Sequence, residues 1–190
     1  MPEFTPVDPE VAAALLRSHL EAFFEHSPHV RGAVGWAFEI SDNPLVAIVH
    51  LPACKRDGSV PDVYTLRLDA TYYDTWPVSA TFVEFHEGSW QRARMGGTAF
   101  PLLTGSPGAP SGAGVGFEFA LHDEYLFQNG HPDQLICFSY NLGYYTSAHS
   151  PNDGQKWRPG SDRVDATLTR IHAALNSAAY LGPSARESAP

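Results

Sequence analysis

A chain of 190 residues with 12 Lys+Arg against 21 Asp+Glu carries a formal charge of −9 at pH 7. That length fits a single domain, 1–190, and a 43% hydrophobic share with 12% aromatics supplies a core, which excludes wholesale disorder. The acidic balance argues against nucleic acid, whose phosphates need clustered Lys and Arg, and no apolar run approaches the roughly 20 residues that a membrane-spanning helix requires.

The opening MPEFTPVDPE has neither a basic nor an apolar leader region, so no secretory signal is expected. Two cysteines, Cys54 and Cys137, make no disulfide framework in a chain of this length. The expectation is a soluble protein of the reducing cytoplasm. The first element is a helix: Asp8 caps it, Pro9 suits its first turn, and Val11, Leu15, Leu16, Leu20, Phe23 and Phe24 recur at helical spacing up to the stop at Ser27-Pro28.

Strands follow. Val34, Trp36, Phe38 and Ile40 alternate as one buried sheet face requires, and the turn residues Ser41-Asp42-Asn43-Pro44 lead into LVAIVHL. A polar link from Lys55 to Pro61 precedes a third strand with Tyr64, Leu66, Leu68 and Ala70 on one side. After a break at Asp74–Pro77, ATFVEF is a fourth. Strand after strand with short links predicts an antiparallel meander of four strands.

Residues 96–116 hold seven Gly and three Pro, a density that predicts a mobile surface loop inserted into the domain. FEFAL (117–121) reads as a short strand, and 122–159 as a long loop carrying Cys137. A second helix is predicted from about Asp162, with Val164, Leu168, Ile171 and Leu175 on one face, ending before Gly182-Pro183. The tail 184–190 reads as frayed. The plan is α+β: helix, meander, irregular segment, helix.

Among residues that carry chemistry, Cys137 stands first. Between Ile136 and Phe138 its local sequence reads first as a small buried hydrophobe, but it follows the turn-rich Asn129-Gly130-His131-Pro132 and precedes a Tyr-rich loop. A thiol with an ordinary pKa of about 8.5 exchanges thioesters near neutrality without a strong base. Cys54 ends a strand beside Lys55 and Arg56, with nothing near it that resembles a site. His26 and His29 have no second pair at zinc spacing and read as surface histidines, so no metal or cofactor is expected. His122, His131 and His149 bracket Cys137, which leaves a Cys-His hydrolase conceivable. Trp76, Trp157, Tyr140, Tyr144 and Tyr145 read as core or loop packing.

Four stretches in series resemble the ubiquitin-conjugating enzymes. YTLRLDATYYDTWPVSATFVEF resembles that family's third and fourth strands, with Trp76-Pro77 where Tyr-Pro is usual. QLICFSY resembles its active-site segment, Trp157-Arg158-Pro159 its Trp-x-Pro, and DRVDATLTRIHAALNSAAYLGP the helix that ends at a proline. The resemblance covers about residues 8–183. It implies the UBC-like fold and makes Cys137 the acceptor of a ubiquitin-like protein as a thioester, passed from an activating enzyme to an amine on a protein target. It also implies an oxyanion donor at Asn129, eight residues before the cysteine, although Asn-Gly is a strong turn pair in its own right.

The departures are specific. Phe127-Gln128 precedes Asn129 where the family has His-Pro, the gap from Cys137 to Trp157 is longer, and nothing here resembles the family's further C-terminal helices. In these respects the chain is more similar to divergent ubiquitin-conjugating-like proteins of bacterial conjugation and antiphage-defence operons. The alternative function is a non-catalytic module of that fold, binding a ubiquitin-like protein or another partner.

Overall fold

A computed structural model describes residues 4–54, 61–106, 120–123, 134–147 and 156–185. It is an α+β structure. Helix α1 (Pro9–His26) begins where the Asp8 carboxylate accepts from the backbone N–H of Glu10 (2.9 Å) and Val11 (3.2 Å), two donors that otherwise have no helical partner. It buries Ala12, Leu16, Leu20 and Phe23 and ends as Ser27 turns extended before Pro28. Val11, expected on the inner face, is exposed.

Five strands make one antiparallel sheet in the order β1 (Ala37–Ile40), β2 (Val46–Ala53), β3 (Asp62–Asp69), β4 (Ser79–His86), β5 (Ser89–Arg92). The β1–β2 turn is built by Asn43, whose side chain accepts from Leu45 N–H (3.1 Å) while its carbonyl accepts from the Ser41 hydroxyl (2.9 Å). Alternation buries Ala47, Val49 and Leu51 of β2, Tyr64, Leu66 and Leu68 of β3, and Ala80 and Phe82 of β4 on one face. Val34 is an exception to the expected alternation; it precedes β1 and is exposed.

Helix α3 (Val164–Leu175) packs against β2 and α1, with Val164, Leu168, Ile171 and Leu175 joining the same core. Its first N–H, from Val164, donates to the Tyr73 hydroxyl (3.0 Å), and that hydroxyl lies 2.6 Å from His19 Nδ1 of α1. The Tyr73 hydroxyl thus ties the start of α3 to α1.

Four expectations need correction. The meander has five strands, because Glu87 and Gly88 both take positive φ (48° and 82°) and form a two-residue hairpin into β5. The segment 96–116 is not all surface loop: Pro101–Leu103 is strand β6, with Phe100 and Leu103 fully buried. Its glycines and prolines flank an apolar stretch that the core takes up, and Pro101 occupies the strand's first position, where proline is tolerated. Residues 107–116 lie outside the described part. The C-terminal helix stops at Leu175, and Tyr180–Pro183 returns as β9, antiparallel to β6. Finally, 122–159 is not a continuous loop, since it holds part of β7 (Ala120–His122), all of β8 (Leu135–Cys137) and helix α2 (Leu142–Thr146).

A second polar feature predicts acid sensitivity. His172 of α3 stacks on His29 (5.8 Å between rings, 20° between planes) and against Trp36 (4.9 Å). Burial, then the His29 charge, lowers the His172 pKa below its ordinary 6.5; burial and Arg163 lower that of His19. The folded state therefore binds fewer protons than the unfolded chain as pH falls below 6.5, and stability drops over that window. The urea midpoint should fall between pH 7 and pH 5, and fall less in His172→Phe. An equal fall in that variant would remove His172 as a cause.

Candidate functional site

Cys137 is the last residue of β8, which pairs antiparallel with β7 in the register Ala120↔Cys137, Leu121↔Ile136, His122↔Leu135. Alternation sends Leu121 and Ile136 into the core and leaves Cys137 on the opposite face with Ala120 and His122. Cys137 is neither fully buried nor fully exposed, and it forms no disulfide. His122 is diagonal to it across the ladder, where Cβ atoms stand roughly 7–8 Å apart.

Helix α2 covers this hairpin closely. A Cβ at Gly143 would stand 3.0 Å from Leu135 Cδ1, so glycine is what lets the helix approach. Tyr144 of α2 is near enough for a Cys137 thiolate to push its phenol pKa up, after burial as the main cause. Burial also pushes the Cys137 thiol above its ordinary pKa.

Two amide side chains bracket the cysteine strand. Gln134, just before β8, accepts from Phe82 N–H of β4 (2.6 Å) and donates to the carbonyls of Ala93 (3.0 Å) and Phe82 (3.4 Å). Asn141, just after it, accepts from Ala80 N–H (2.9 Å) and donates to the Ile136 carbonyl (2.9 Å). Both side chains are buried. Leu142 N–H also reaches the Val78 carbonyl (3.1 Å), so the whole segment lies along the edge of β4.

The stretches that carry the resemblance lie together in space. Trp157 donates through its indole N–H to the Asp74 carbonyl (2.7 Å) and through its backbone N–H to the Tyr145 hydroxyl (2.8 Å). Tyr145 meets Trp76 at 5.1 Å, and Tyr140 meets Trp157 at 6.0 Å. Arg158 donates to the Asp162 carboxylate from its backbone (2.7 Å) and guanidinium (3.0 Å), which closes the turn before α3. At its tip Gly160 takes φ +72° and donates to Asp74 Oδ2 (3.0 Å). On α3, Thr167 donates to the Tyr140 carbonyl (2.7 Å), and Arg170 stands over the Tyr140 ring at 5.6 Å.

Asn129, His131 and His149 lie outside the described residues. Cys54 is exposed at the end of β2, its N–H donating to the Leu175 carbonyl (3.3 Å). Among the described residues no group of His, Cys, Asp or Glu is placed to hold a metal, and no helix is long and apolar enough to cross a membrane. Gln134, Asn141 and Tyr144 are site residues that sequence reading missed or took for packing. The available signal was a polar amide on each side of the short apolar run Leu135-Ile136-Cys137-Phe138, Gln134 directly before it and Asn141 three residues after it.

A thiol with this surrounding reacts slowly near neutrality. Iodoacetamide at pH 7 should modify exposed Cys54 several-fold faster than Cys137. In Cys54→Ala the Cys137 rate should keep climbing at alkaline pH where an ordinary thiol has levelled off, because its thiolate forms later. Faster modification of Cys137 at pH 7, read by mass spectrometry, would contradict the burial.

Compared with known proteins, the chain matches no protein-family model and no curated protein sequence.

Proposed function

We propose that the chain adopts a ubiquitin-conjugating-like fold and that Cys137 carries a ubiquitin-like protein as a thioester. The observation that carries this reading is the partly exposed Cys137, held along the edge of an antiparallel meander, with the Trp157 turn and α3 packed against Tyr140 of the segment that follows it. An isolated structural cysteine calls for no such assembly. In the first step the Cys137 thiolate attacks the activated C-terminal carbonyl of the modifier; the sulfur–carbon bond forms and the activating enzyme's leaving group departs. A target amine then attacks the thioester, loses a proton, and expels the thiolate. Asn129, on the strength of its eight-residue offset, is the proposed donor to the oxyanion formed between these bonds.

The partners are then an activating enzyme, a ubiquitin-like protein and a protein target, in a cytoplasm that keeps the thiol reduced. The net charge of −9 suits a basic partner surface. The resemblance to ubiquitin-conjugating-like proteins of bacterial conjugation and antiphage-defence operons gives such a chain its proposed setting. One observation favours the second reading, a non-catalytic binding module: burial raises the Cys137 pKa, the opposite of what an activated nucleophile needs.

The test combines the chain with a candidate modifier, its activating enzyme and ATP, and separates products with and without reductant. A reductant-sensitive adduct supports the carrier. Binding of the modifier without any adduct favours the module.

A further inference from the structure

The edge of β4 is only partly used by its neighbour. Strand β5 pairs with residues 83–86, and Ala93 N–H just beyond it still donates to the Phe82 carbonyl (2.9 Å), while the N–H groups of Ala80 and Phe82 face the cysteine segment. Among the described residues no strand pairs with those two N–H groups. Instead, the side-chain amides of Asn141 and Gln134 occupy that edge, one on Ala80 N–H and the other on Phe82 N–H. An amide side chain presents the same donor and acceptor as a peptide group, so each takes the place of a strand's backbone.

The two residues stand on opposite sides of Cys137, three before and four after. The second amide does more than fill the edge. Its Nδ2 donates to the Ile136 carbonyl, which belongs to the peptide leading directly into Cys137. Gln134 fixes the strand's entry through three bonds, and Asn141 fixes its last peptide while gripping the sheet. The β7–β8 ladder alone has only three paired positions, too short to set a position by itself.

We propose that Gln134 and Asn141 are positioning residues, a pair of amide clamps that hold the Cys137 sulfur in the place from which acyl transfer occurs. The role in transfer rests on the function proposed above; the clamp itself does not. Releasing a clamp lets the segment leave the sheet edge and hydrates the thiol. Small neutral alkylating agents then react faster, whereas transfer to a defined acceptor, which needs a fixed sulfur, becomes slower. Opposite movement of the two rates is not what general loosening of a structural contact produces.

The experiment uses the full chain in a Cys54→Ala background. Asn141→Leu removes both amide bonds while keeping the number and branching of side-chain heavy atoms; Asn141→Asp keeps the acceptor for Ala80 N–H but loses the donor to Ile136, and so serves where the leucine variant fails to fold. Gln134→Glu is the matching change at the other clamp. Each is checked for a cooperative melt, then assayed for Cys137 alkylation by iodoacetamide and for single-turnover thioester discharge. We expect alkylation to rise roughly three- to tenfold, the scale of one lost buried hydrogen bond. Discharge should fall at saturating amine with KM unchanged. Alkylation within twofold of the parent in folded variants overturns the clamp, even if thioester forms normally. Faster alkylation with no thioester in the parent or any variant keeps the clamp and overturns the transfer role.

Discussion

On the carrier function proposed above, Cys137→Ala is expected to form no adduct with a ubiquitin-like protein, while Cys54→Ala forms it as the parent does. The difference is all or none, because no other group at this face supplies a sulfur. Cys137→Ser is the more informative change. A serine hydroxyl attacks the same carbonyl more slowly, and the product is an ester that survives reductant but is cleaved by hydroxide. A switch from reductant-labile to hydroxide-labile linkage therefore places the bond on residue 137 itself. An adduct that persists in Cys137→Ala, or moves to Cys54, would remove Cys137 from the reaction.

Phe82→Ala should cost about 3–5 kcal/mol, one of the largest effects of any single truncation here, and lower the melting temperature by about 10 °C. Phe82 is fully buried, with its ring 5.9 Å from that of Tyr64 and 6.3 Å from that of Phe100. Three parts of the chain meet on it: β3, the stretch before β6, and, through its backbone, Gln134 beside the cysteine strand. The cavity cannot close without moving all three. Phe85, three residues on, points outward and is 62% exposed, resting on Trp90 at 5.1 Å. Phe85→Ala should cost no more than about 1 kcal/mol, the scale of one cross-strand pair. Equal losses in urea denaturation would mean that the sheet faces are reversed.

The contrast between these phenylalanines is the part of the fold that patterning makes visible. Leu66, Leu68 and Ala80 alternate with polar neighbours, and a period of two places Phe82 on their face. Asp8-Pro9 marks the start of α1 just as plainly. The pairing of β6 with β9 was hidden for a physical reason. Each strand is only three or four residues long, and its stability comes from a partner some 80 positions away, so the local sequence shows only the surrounding Gly and Pro. The site divides in the same manner. A cysteine after a turn-rich segment announces itself. The edge of β4 is 52 residues from Gln134 and 61 from Asn141, and nothing beside either amide says that a bare strand edge waits there.

Helix α3 begins without a signal of its own. Arg163 occupies the cap position and makes no side-chain bond to the helix, and the nearby acid, Asp162, is committed to Arg158. The group that receives the first N–H is the phenol of Tyr73, 91 residues earlier, which also spans to His19 of α1. Initiation of this helix is thus delegated to another region of the chain. A peptide covering Val164–Leu175 lacks that acceptor and, at twelve residues, is too short to hold a helix in water. Its stability is therefore tied to the turn after β3, so local structure at the C-terminal end reports on long-range assembly.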